Sequence, residues 1–204
     1  REGMGIWDDN IGEWVVPAAA WSATEDDGSE IEGTQTFALE VAEDRSWSAV
    51  GAAGRSSLFP DRVHGEVVAY EEGTQWCVSR CKALTGKWGG EIAVVKGSPA
   101  ASLLPALKKA GVPTRVVSTA EHADACAQLY DGCTSDPLGF VHRDQPHLTV
   151  ALRGAAKRDS GDGAWVWSRK RSAIDISPLV AVTVASALVV NDPEPEGFLM
   201  VLGG

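Results

Sequence analysis

The chain has 204 residues, 44% of them apolar and 23% charged, which fits one globular domain with an extension and a single core. Eighteen basic against 28 acidic side chains leave a net charge of −10, which excludes nucleic-acid binding over the whole surface and restricts any such contact to a local basic stripe. The most apolar stretch, residues 176–190, has 15 residues and is too short to span a bilayer, so no membrane partner is expected.

Residues 1–33 scatter Trp7, Trp14 and Trp21 among Asp8, Asp9, Glu25, Asp26, Asp27 and Gly28, and read as an arm or linker with a few apolar anchors. Three strand patterns follow. Thr36-Phe-Ala-Leu-Glu-Val-Ala42 alternates so that Phe37, Leu39 and Val41 share one face and Ala38, Glu40 and Ala42 the other. Burying an unpaired charge is costly, so Glu40 must either have a partner or lie at a polar edge. Glu43-Asp44-Arg45-Ser46 is turn chemistry, and Trp47–Ala53 and Arg62–Tyr70 complete an antiparallel meander.

The period then changes. Cys77, Cys81, Leu84 and Trp88 recur on one helical face, and Gly89-Gly90 ends that helix. Ile92–Val95 is a short apolar strand, Pro99–Ala110 a helix stopped by Gly111, and Thr114–Val117 another strand. Ser118 and Glu121 form a capping box that starts a helix carrying Cys126, Leu129, Tyr130 and Cys133 on one face. Leu138–His142 reads as a strand, Gln145–Lys157 as a helix and Ala164–Arg169 as a strand with Trp165 and Trp167 on one side. Asp175 comes just before a last helix, with Ser177 expected as N-cap and Pro178 as first helical residue. A meander followed by alternating helices and strands predicts an α/β fold, a mixed sheet with helices on both faces. This is the element order of a ribonuclease-H-like fold.

Several segments resemble one family: Phe37-Ala-Leu-Glu-Val-Ala-Glu-Asp-Arg-Ser-Trp-Ser48, Ser98-Pro-Ala-Ala-Ser-Leu-Leu104, Ala125-Cys-Ala-Gln-Leu-Tyr-Asp131 and, most specifically, Ala164-Trp through Asp175-Ile-Ser-Pro-Leu-Val-Ala181. The chain is similar over roughly residues 34–190 to the nuclease domain of the large terminase subunit of tailed bacteriophages. The resemblance implies a domain spanning 34–191, an N-terminal arm over 1–33 leading from an ATPase motor, and a tail over 192–204. No Gly-x-x-x-x-Gly-Lys-Ser/Thr motif occurs, so the motor is not expected within this chain.

It further implies an endonuclease that cuts concatemeric double-stranded DNA in the host cytoplasm, with the terminase ATPase, the portal and the small terminase subunit as partners. Acidic residues would hold two Mg²⁺ or Mn²⁺ ions that clamp the attacking and leaving oxygens. The family's first acid falls on Glu40 and its last on Asp175. The middle acid falls at Val95 or Lys96, neither of which is a carboxylate. Glu66 and Glu91 are the candidates to substitute, and Lys96 is a candidate phosphate contact. Two functions stay open at this point: an active metal-dependent endonuclease, or a weak or inactive module of the same fold that guides DNA and docks partners.

The remaining clusters are less specific. Arg153, Lys157 and Arg158, with Arg169-Lys170-Arg171, form the main basic concentration and the candidate DNA contact, with Arg153 and Lys157 expected on one helical face. The four cysteines lie on apolar stripes and read as core residues of a reduced, cytoplasmic protein rather than as a zinc site. Of the four histidines, His64, His122, His142 and His147, the last two flank Arg143-Asp144 in a strand-to-helix loop, where a surface or capping role is expected and a place near a site is the alternative.

Overall fold

The computed structural model describes residues 14–191. The meander forms as the alternation requires: β1 (Ile31–Val41), β2 (Trp47–Ser56) and β3 (Val63–Glu72) pair antiparallel. Glu43–Ser46 makes the first turn, where Arg45 takes φ 63° and the Asp44 carboxylate accepts from both the backbone N–H and the hydroxyl of Ser46. Those two bonds hold Asp44 below the usual carboxylate range. After α2 (Cys77–Trp88), β4 (Ile92–Val95) adds parallel to β1. A 3₁₀ turn over Pro99–Leu103 leads into α3 (Leu104–Lys109), and β5 (Thr114–Val117) pairs parallel with β4. Ser118 and Glu121 make the expected capping box at the start of α4 (Thr119–Thr134). Then come β6 (Phe140–Val141), parallel to β3, and α5 (Pro146–Gly154). The hairpin of β7 (Ala156–Asp159) with β8 (Trp165–Ser168) precedes α6 (Ser177–Asn191). The main sheet runs β5-β4-β1-β2-β3-β6, which puts the Glu40 strand in its interior.

The sheet separates two cores. On one face α2 and α3 cover Phe37, Leu39, Val50, Ile92 and Val94. On the other, α4, α5 and α6 cover Ala38, Ala53, Ala93 and Val95. Helix α6 is buried from Ser177 to Val189 and is apolar all round, as a helix enclosed on every side must be. It lies directly on β2, where Ala49, Gly51 and Ala53 leave a trough. A Cβ on Gly51 would stand 2.6 Å from the Ala181 carbonyl carbon and the Val182 nitrogen. No described helix is long and apolar enough to cross a membrane.

Several expectations need correction. The helix expected over 145–157 stops at Gly154, which packs so closely on Ile174 that a Cβ would meet it at 2.5 Å. Lys157 and Arg158 are therefore on β7, where consecutive side chains point to opposite faces, and Arg153 and Lys157 do not share a helical face. The expected arm is partly structural: α1 (Ala18–Ala23) seats Trp21 in the core, 2% exposed and stacked on His142 at 3.8 Å. Trp7, Asp8, Asp9 and the tail from 192 lie outside the described residues. His142 is buried rather than at the surface, and His64 and His122 are buried too. The cysteines are core residues, as expected, but Cys77 and Cys81 lie on the α2 face and Cys126 and Cys133 on the opposite one, so the four cannot converge.

Two outcomes follow from this packing. Gly51→Ala forces α6 away from β2 and should destabilise the fold by about 1–3 kcal/mol, visible as a lowered thermal midpoint. Burial, with Arg169 and Arg158 nearby, pulls the His122 imidazole down to about 4. A folded pKa below the unfolded value of about 6.5 means that the unfolded chain binds the extra proton. Stability from His122 is thus present above pH 6.5 and is lost as pH falls toward 4, by about 3 kcal/mol. Urea unfolding of His122→Leu between pH 4 and 7 should show a shallower acid slope than the parent.

Candidate functional site

The site gathers where the parallel strands β1 and β4 end, the usual position of sites in open α/β folds, with the end of β8 from the separate β7–β8 hairpin brought beside them. Glu40 faces α6 rather than solvent and is 1% exposed. Arg169, one residue past β8, meets it as a fork: Nε donates to Oε1 at 3.1 Å and Nη2 to Oε2 at 2.7 Å. The Val41 backbone N–H also donates to Oε1, at 3.1 Å. Burial pushes the Glu40 carboxyl up from its ordinary value, Arg169 and the Val41 N–H offset part of that rise, and the nearby Asp175 charge adds to it. Arg169 is held in place from behind. Trp167 is 1% exposed and its Nε1 donates to Thr183 Oγ1 of α6 at 3.0 Å, which fixes β8 against the helix.

Asp175 is near enough to Glu40 for its charge to raise the Glu40 carboxyl further, and the helix start beside it differs from the expectation. Helix α6 begins at Ser177, whose backbone N–H donates to Asp175 Oδ1 at 3.0 Å and whose hydroxyl donates to the same oxygen at 2.6 Å. Ser177 therefore donates to a carboxylate cap instead of serving as the N-cap. Asp175 Oδ2 accepts from Tyr70 Oη at 3.1 Å. Burial, the Asp175 charge and that hydrogen bond push the Tyr70 phenol up to about 12, so it stays a donor at neutral pH. Tyr70 stands in the same cross-strand row as Glu40, through Ala49.

The strand register decides where the third acid would stand. Ala38 of β1 pairs with Ala93 of β4, so Glu40 is level with Val95. Val95 also shares the α6 face with Ala93, whereas Lys96 is exposed beyond the strand. The position on Glu40's face is thus Val95, a buried apolar side chain. Neither suggested substitute reaches it. Glu66 pairs with Ala52 on the α2 face of the sheet and lies 3.8 Å from His64 Nε2. Glu91 precedes β4 at the far end of the strand, about 13 Å from Val95 at the usual rise per residue. Among the described residues no group of three or more His, Cys, Asp or Glu is poised around a common point. Both Glu40 oxygens accept from Arg169, and among the described residues no third carboxylate joins Glu40 and Asp175 in a group that could hold a metal ion. The side chains present do not fit a two-ion Mg²⁺ or Mn²⁺ centre.

Two clefts flank the Glu40–Arg169 pair. One, of about 620 Å³, is acidic and is lined by Glu43, Asp44, Arg169 and Asp175. The other, of about 550 Å³, is basic and is lined by Arg158, Arg169, Lys170 and Arg171, with Glu43 and Ser98. Of the expected DNA-contacting residues, the fold brings these four cations together. Arg153 lies at the end of α5, Lys157 turns to the Trp165 ring at 5.8 Å, and Lys96 is exposed beside Gly97. The sequence reading missed Tyr70, the pairing role of Arg169 and the Trp167–Thr183 bond. Each is a contact across 16 to 129 residues, and charge or aromatic spacing does not encode its partner.

No protein-family model matches the chain, and no curated protein matches its sequence. Solved structures do match its fold. The large terminase of bacteriophage HK97 superposes with a TM-score of 0.65 at 10% identity, over 83% of this chain and 42% of that one. The chain therefore spans less than half of that protein. The large terminase nuclease of thermophilic phage G20c, with bound magnesium, gives 0.59 at 11% identity, over 83% and 95%. A variant large terminase subunit from bacteriophage Sf6, with calcium, gives 0.56 at 10% identity, over 82% and 96%. With its six-stranded mixed sheet and flanking helices, the chain has the ribonuclease-H-like fold of the nuclease domains of phage large terminases.

Proposed function

We propose that this domain handles double-stranded DNA in a phage packaging machine and that, as it stands, its acidic centre is closed to hydrolysis. The observation that carries this reading is the bidentate Glu40–Arg169 pair. A buried carboxylate needs a cation, and here that cation is a guanidinium. Arg169 neutralises Glu40 with two charge-assisted hydrogen bonds. It offers no open coordination position at which a water could be activated or a leaving oxygen stabilised. Val95 withholds the third ligand from the same face. What remains on that edge is a groove with four cations in a protein of net charge −10, a placement that suits a phosphate backbone and no other broad ligand class as well. The ATPase motor, the portal and the small terminase subunit are the proposed partners, and the host cytoplasm the proposed setting.

An active endonuclease that cuts concatemers is the second reading. The approach of Asp175 to Glu40 favours it, because two neighbouring carboxylates attract a divalent ion. It requires Arg169 to leave and another ligand to arrive.

Plasmid nicking separates the two. With Mn²⁺ the parent protein should leave supercoiled DNA intact while retarding duplex at low salt. The double substitution Val95→Asp with Arg169→Gln should bind Mn²⁺ by calorimetry and begin to nick, because it supplies the missing ligand and frees Glu40. Arg169→Gln alone should lower the thermal midpoint by the equivalent of about 3–5 kcal/mol, since it strands a buried charge. Cleavage by the parent that Asp175→Ala abolishes would establish the endonuclease reading instead.

A further inference from the structure

The basic cleft contains a buried group that the fold leaves unused. Ser98 follows Gly97 at the exit of β4 and is 8% exposed. Its hydroxyl is buried and has no hydrogen-bond partner, and the residue lines the cleft. Its backbone N–H is already taken by the Val95 carbonyl at 3.1 Å, so the hydroxyl is what remains to be satisfied. A buried hydroxyl left unpaired is costly, and an acceptor entering the cleft would offset that cost.

The charges around it say what enters. Four cations and one carboxylate line the cleft. Arg169 is engaged by Glu40 at 2.7 Å, and Lys170 lies 3.6 Å from Glu43. Arg158 and Arg171 have no carboxylate partner among the described residues. Two guanidiniums without counter-charges and an unpartnered hydroxyl donor make a set that is complementary to a small anion with several acceptor oxygens.

We propose that this cleft seats one phosphate group, with the Ser98 hydroxyl donating to one oxygen and the Arg158 and Arg171 guanidiniums flanking the others. The phosphate is a phosphodiester of the DNA backbone, an identity that rests on the function proposed above. Ser98 thereby fixes the register of a strand that the arginines attract. Arg169 contributes the wall and Glu40 keeps it in place, so the phosphate and the acidic cleft occupy opposite sides of a single ion pair.

The test uses the full chain at low ionic strength and two probes: inorganic phosphate followed by backbone amide NMR, and a short DNA duplex followed by fluorescence anisotropy across a salt series. Phosphate should shift the amides of Gly97, Ser98 and residues 168–171. Ser98→Ala should weaken phosphate binding about tenfold, because a hydrogen bond to a charged group is lost. The same substitution should leave the thermal midpoint unchanged or raised, because it removes an unsatisfied hydroxyl. Arg158→Gln with Arg171→Gln should abolish phosphate seating and lower the slope of log affinity against log salt by about two. Phosphate shifts elsewhere on the protein, or shifts unchanged in the Gln variant, overturn the site. Duplex binding that no variant weakens overturns it too and leaves the DNA-handling function standing. Phosphate seated normally by a parent that binds no duplex overturns the function and the phosphodiester identity together, while the anion site itself stands.

Discussion

The pair between Glu40 and Arg169 is the constraint around which this edge of the molecule is arranged. A carboxylate near the end of a central strand, almost wholly out of water, cannot stay ionised without a cation against it. The protein brings that cation from 129 residues away, and the delivery demands a supporting structure. The β7–β8 hairpin must lie across the end of the sheet, and Trp167 must be clamped to Thr183 of α6. The 168–172 turn must close on itself, with the Ser172 hydroxyl donating to the Ser168 carbonyl at 2.6 Å and its oxygen accepting from the Ala156 N–H at 3.0 Å. The same turn then leads to Asp175. One ion pair therefore couples the strand that carries the first acid to the loop that carries the last.

The elements with strong local periodicity were legible in the sequence. The meander, the cysteine-bearing helices, the capping box at Ser118 and the buried helix α6 each announce themselves within one window of residues, and the face on which Glu40 lies follows from alternation alone. The hairpin was not legible in full. Arg153 to Lys157 reads as a continued helix, and the tight packing of Gly154 on Ile174, which ends it, is a tertiary fact. Val95 could not be separated from Lys96 until the parallel register with β1 was known, because a slip of one residue exchanges the two faces of a strand. Arg169 looked like one more member of a basic run. Nothing in the triplet Arg169-Lys170-Arg171 distinguishes the residue that turns inward to a buried carboxylate from the two that face the cleft.

The two acids also differ in how they are satisfied. Glu40 is paired with a full positive charge, whereas Asp175 accepts only from neutral donors: the Ser177 N–H and hydroxyl and the Tyr70 phenol. Asp175 stands beside the start of α6, a position that favours an anion. The edge as a whole is polarised, negative toward the 620 Å³ cleft and positive toward the other, with Arg169 as the partition.

The position of α6 has a consequence for how the protein is made. Chains emerge from the ribosome N-terminus first, and here the sheet is encoded long before the helix that covers it. Until residues near 189 are free of the exit tunnel, the trough of Ala49, Gly51 and Ala53 has no cover and β8 has no Thr183 to hold it. The nascent domain must therefore carry an open apolar sheet face through most of its synthesis, and the last described segment to be translated is the one that closes it.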